Sequence, residues 1–197
     1  MKKILICLIL IQSFQFTLQA NTTLKTMGWK VSAIIINKKY DKEVAEITQD
    51  LGLGNSEVET ETTLGKSLYP NNLCIGFYNG KTIITHGSIL MDFFDESPSE
   101  MEQTFSKVFA DIEMVVVGQI EGVGINGFSY IKNGKRVRTK LIGEEEGEIL
   151  NIGSALELEK NLDDYDLPFE ASEMLLGQRL DSDVVLSTKM YVLKIVE

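Results

Sequence analysis

The chain of 197 residues holds one histidine, His86, at the end of the run Thr82-Ile83-Ile84-Thr85-His86. A single histidine excludes metal centres built on histidine clusters. A Ser-His-Asp or Cys-His triad would have to pass through His86, with Ser88 or Cys74 as its nucleophile. Neither stands in the glycine frame of a nucleophile elbow, so no catalytic residue is assigned. Cys74, between Leu73 and Ile75, reads as a small buried hydrophobe.

Carboxylates concentrate at Asp163-Asp164-Tyr165-Asp166, with Glu170 beyond, and at Glu144-Glu145-Glu146. A hard cation needs several oxygens converging on one point. The first stretch has neither the glycine nor the spacing of an EF-hand loop. Both read as solvated turns, the first feeding acids to a helix start, where the dipole favours them. No metal set and no cofactor is expected. Gly122-Val123-Gly124-Ile125-Asn126-Gly127 fits G-x-G-x-x-G, but the motif holds pyrophosphate only when a helix opens directly after it. Phe128-Ser129-Tyr130-Ile131 has the pattern of a strand instead, so the glycines mark a bend or bulge.

Arg136, Arg138 and Lys140 alternate with Val137, Thr139 and Leu141. Period-two spacing predicts all three cations on one strand face. Such a ladder would form a local site for an anion or an acidic partner. The competing account pairs the cations across strands with Glu113, Glu121 or Glu148.

Several elements must position these groups. Lys30 to Asn37 is a β-branched run that reads as a buried strand, and Asp41 can cap a helix reaching about Leu51. Residues 55–72 are polar, with Glu57, Glu59 and Glu61 alternating, and read as a loop or an exposed edge strand. Asn79-Gly80 and Asn133-Gly134 each separate two apolar runs and predict type I′ hairpins. Ser97-Pro98-Ser99-Glu100 opens a helix to about Ala110, and Leu167-Pro168-Phe169-Glu170 opens another to about Leu176. Ile112 to Ile120 and Val184 to Val196 read as strands. The expected fold is α+β: a mainly antiparallel twisted sheet of about six or seven strands, with two or three helices packed on one face.

The formal net charge is −10. Residues 1–20 have the basic start, short apolar core and small terminal residue of a signal peptide, which predicts export to the periplasm or medium. The alternative is a spurious extension of residues 1–26 with a cytoplasmic protein starting at Met27. Loss of residues 1–26, which carry Lys2, Lys3 and Lys25 and no acid, leaves −13 and one single domain over 27–197. Such a charge disfavours nucleic acid and anionic membranes, and it serves solubility or a basic protein partner.

From Met27-Gly28-Trp29-Lys30 through Gly124, Gly127-Phe128-Ser129-Tyr130, Asn133-Gly134-Lys135 with Arg138, Gly147, Gly153 and Leu167-Pro168-Phe169-Glu170, the layout resembles a bacterial family known only as a domain of unknown function. The resemblance spans roughly residues 27–180. It implies a cytoplasmic protein beginning near Met27 and supplies no activity or catalytic residue. The first functional expectation is a binding or interaction domain without catalytic activity, comparable to toxin-neutralising immunity proteins. The second is a metal-dependent hydrolase using Asp163, Asp164 and Asp166.

Overall fold

Strand β1 (Trp29–Ile36) runs apolar on both faces, with Ile35 packed to one side and Ile34 and Ile36 to the other. A strand of that pattern is stable only between two covering layers. In the computed structural model, which describes residues 29–68, 72–86, 89, 91–120, 124–160 and 162–196, β1 takes the middle of a nine-stranded sheet. The leader, the start at Met27, Ser88, Glu121 and Gly122 lie outside the described residues.

The remaining strands are β2 (Asn55–Thr63), β3 (Leu73–Tyr78), β4 (Lys81–Thr85), β5 (Glu113–Ile120), β6 (Ile125–Lys132), β7 (Lys135–Gly143), β8 (Gly147–Ile152) and β9 (Lys189–Val196). Their order is β2-β9-β3-β4-β1-β5-β6-β7-β8, and every pairing among them is antiparallel. The β3–β4 and β6–β7 hairpins turn at Asn79-Gly80 and Asn133-Gly134. Both residues of each pair take positive φ, 45° and 73° in the first and 51° and 68° in the second. Two such angles define the type I′ turn, whose twist matches the flanking strands.

Five short helices are described: α1 (Glu46–Asp50), α2 (Leu64–Ser67), α3 (Glu100–Val108), α4 (Leu167–Leu176) and α5 (Asp183–Leu186). They cover both faces of the sheet. Leu167, Phe169, Ala171 and Leu175 of α4 pack with Val115, Val117 and Phe128 on one face, joined by Leu64 of α2 and Val185 of α5. Phe105 of α3 and Ile47 of α1 pack with Ile36, Met114 and Val116 on the other. Phe93 stands edge-on to Phe105 in that second layer, ring centroids 5.4 Å apart.

The expectation of six or seven strands with two or three helices on one face is therefore corrected to nine strands between two layers that together hold the five short helices described. Two polar segments account for the extra strands. The acidic stretch from Asn55 pairs with β9, and Gly147–Ile152 pairs with β7. An edge strand needs no apolar face of its own, so neither advertises itself by hydrophobicity. The closing strand is also shorter than its apolar run, because Asp183–Leu186 turns as a helix before Lys189.

Candidate functional site

The three cations of β7 do not form one ladder. Tyr130 of β6 lies opposite Arg138, but the next residue, Ile131, lies opposite Arg136. Val137 is thus the extra residue of a β-bulge, and an extra residue reverses side-chain parity. Arg138 joins the α4 face, where Tyr130 packs, and Arg136 joins the α3 face, where Ile131 packs.

On the α3 face, Arg136 forks onto Glu102 of α3: Nε donates to Oε1 at 3.1 Å, Nη2 donates to Oε2, and Nη1 donates to the Asp95 carbonyl. The two side chains are 5% and 2% exposed. On the α4 face, Arg138 donates from Nε and Nη2 to Glu159 at 2.7 and 2.6 Å. Its Nη1 reaches Asn151 Oδ1 and the carbonyls of Ile152 and Gly153, the last two at 3.0 and 3.1 Å. Glu159 closes a 3₁₀ turn (Glu157–Glu159) and also accepts the Leu156 N–H at 2.8 Å. Burial opposes ionisation of Glu159. The Arg138 bonds and the Leu156 N–H outweigh it and hold the carboxyl below the ordinary glutamate range.

Lys140 shares the Arg138 face, with Nζ 3.8 Å from Glu159 and 3.9 Å from Asp164. The partners are therefore Glu102, Glu159 and Asp164 rather than the cross-strand acids Glu113 or Glu148. Bidentate, desolvated pairs of this kind position layers. They leave little of either guanidinium to meet a ligand.

The Asp163–Asp166 carboxylates diverge. Asp163 accepts the Tyr165 N–H at 2.9 Å, Asp164 faces Lys140, and Asp166 pairs with Arg179 at 2.8 Å. Arg179 also holds Glu170 and Asp181, and these bonds push its guanidinium further above its ordinary range. Among the described residues, no three His, Cys, Asp or Glu side chains come together as a metal-ligating group. Burial pushes the Cys74 thiol up and holds the His86 imidazole below its ordinary value. His86 Nδ1 accepts the Ile89 N–H at 3.4 Å. Past Gly124, whose φ is 59°, β6 starts at once, so no helix follows the glycine motif.

One cluster has no counterpart in the sequence reading. The Thr82 hydroxyl donates to the Lys38 carbonyl at 2.7 Å and accepts the Tyr40 N–H at 2.8 Å, pinning the loop after β1. Tyr40 then donates to Asp50 at 2.7 Å, and Lys42 donates to both Asp50 oxygens. Desolvation and Asp50 raise the Tyr40 phenol well above its usual range, while Lys42 and Tyr40 lower Asp50. This loop walls a cleft of about 280 Å³ with Val108 and Phe109. Asp50 lies ten residues from Tyr40, outside any helical spacing, so pattern reasoning has no means of finding it.

The electrostatic surface follows from these pairs. All three arginines of the chain are engaged with carboxylates, and Lys42, Lys132, Lys160 and Lys189 each lie within 4 Å of one. Among the described residues, Glu57, Glu59, Glu144, Glu145, Glu146 and Glu148 have no such partner. No helix of the described residues is long and apolar enough to cross a membrane. No family model, curated protein or solved structure matches the chain.

Proposed function

We propose that the chain is a binding domain without catalytic activity, acting on a basic protein partner in the manner of an immunity protein. One observation carries the reading: the arginines are paired within the chain while, among the described residues, carboxylates at both sheet edges have no ion pair, so the charge offered outward is negative. A negative field steers a cationic partner and suppresses acidic ones.

The test is affinity capture from the native host, washed at salt rising from about 0.1 M to about 1 M, over which the Debye length falls from about 10 Å to about 3 Å. A partner with a basic surface, released across that range and lost on reversal of Glu57 and Glu59 or of Glu144 to Glu146, is expected. Capture that is indifferent to salt and to both reversals refutes the reading.

A further inference from the structure

The sheet ends in two edges of different character. At β8 the backbone is engaged beyond its ladder, because Arg138 takes the carbonyls of Ile152 and Gly153. At β2 eight of the nine residues pair with β9, among the described residues on that side only, and the strand is exposed over most of its length. Alternate N–H and C=O groups of such a strand point outward, ready to bond another chain. Glu59 is the extra residue of a bulge, since Val58 lies opposite Leu193 and Thr60 opposite Val192. It divides the edge into Asn55–Val58 and Thr60–Thr63.

Among the described residues Glu57 and Glu59 carry no ion pair within 4 Å, although Lys194 lies across the ladder from Glu57, and beside them Val58 and Ile195 are 46% and 49% exposed. Two copies of this edge laid together would set carboxylate against carboxylate, which disfavours self-pairing. An extended segment bearing lysine or arginine at alternate positions has the opposite charge and the same backbone geometry.

We infer that the outer edge of β2 accepts a short, basic, extended segment of the partner by strand addition. The inference rests on the basic-partner reading and names its docking surface. The segment bonds the free backbone groups on either side of the bulge. Its cations meet Glu57 and Glu59, and an apolar residue covers Val58.

The experiment uses the whole protein and a nine-residue probe peptide alternating lysine with threonine. A second probe has the same sequence and charge but carries N-methyl groups at alternate residues, which removes the donors a strand needs. Binding is read by fluorescence anisotropy and by amide exchange of the protein. The expected result is at least tenfold weaker binding of the methylated peptide, with exchange slowed by the first peptide within Asn55–Thr63. Equal binding of the two peptides, or slowing confined elsewhere, overturns strand addition while leaving a charge-driven partner in place. Failure of both peptides to bind overturns the edge as the docking surface. Salt-indifferent capture in the preceding experiment is what overturns the reading beneath it.

Discussion

Replacing Arg138 with methionine keeps most of the apolar stem and removes the charge that satisfies Glu159. Five hydrogen bonds go with it: two to Glu159 and one each to Asn151, Ile152 and Gly153. The Glu159 side chain is 5% exposed, so its carboxylate is left buried without its main partner. Removing one member of a buried pair costs about 3–5 kcal/mol. Lys140 remains 3.8 Å from Glu159 and the Leu156 N–H still reaches it, which places R138M near the lower end, about 3 kcal/mol at neutral pH. For a domain of this size that lowers Tm by about 6–12 °C.

The pH dependence carries the sign. In the wild type, Glu159 is held below its ordinary value, so its contribution is complete above about pH 4.3 and is lost as pH falls through the lower folded value. In R138M the burial that opposes ionisation of the same carboxyl loses its main counterweight, so its pKa rises and protonation relieves the variant as pH falls toward the ordinary glutamate range. The stability gap between the two proteins therefore narrows on acidification. Urea unfolding followed by far-ultraviolet circular dichroism measures it, with an unchanged slope showing that only stability moved. The double variant R138M/E159M is expected to be more stable than R138M, because neither charge is stranded. A loss below about 1 kcal/mol, or a gap constant with pH, refutes the account of Arg138 as a buried clamp.

Other outcomes follow from the same geometry. Gly80 has φ +73° and open space at its Cβ position, so Gly80→Ala costs only the left-handed backbone, about 1 kcal/mol in urea unfolding. Gly153 has φ +80° and its Cβ would lie 2.0 Å from the Val137 carbonyl oxygen, so Gly153→Ala is expected to cost at least twice as much by the same measurement. Tyr40→Phe removes a donor from Asp50 and raises that carboxyl's pKa, which carbon NMR titration of the Asp50 carboxyl reads directly. Thermal unfolding with Ca²⁺, Mg²⁺, Mn²⁺ or Zn²⁺ is expected to show no stabilisation, because the acids from Asp163 to Asp166 turn to different partners. A rise in Tm that saturates with one of these ions would restore the metal-dependent reading.

Local chemistry was legible where one or two residues decide the backbone. Asn79-Gly80 and Asn133-Gly134 specify their turns because few residue pairs accept two positive φ angles. Pro168 and Gly177 bracket α4 for the same kind of reason, the glycine ending it at φ 72°. Ser99 caps α3 through its Oγ, which accepts the Glu102 N–H. Of the two edge strands, β2 was legible only as one of two alternatives, from the alternation of Glu57, Glu59 and Glu61, and β8 was not legible, because exposed residues such as Glu148 carry no burial pattern. The bulge at Val137 was hidden altogether. Arg136-Val137-Arg138-Thr139-Lys140 alternates perfectly, and only its pairing with Tyr130 and Ile131 reveals the extra residue. The acids that meet the arginines lie 34 and 21 residues away, so their identity is a product of the tertiary fold.

That extra residue at Val137 makes β7 the shared anchor of two layers on opposite faces of the sheet. Arg136 fastens α3 below the sheet and Arg138 fastens the loop around Glu159 above it, two positions apart along the chain. If β7 slips or peels, both fastenings release together. Opening of either layer through β7 is therefore coupled to opening of the other, and the domain gains cooperativity from a local irregularity in one strand.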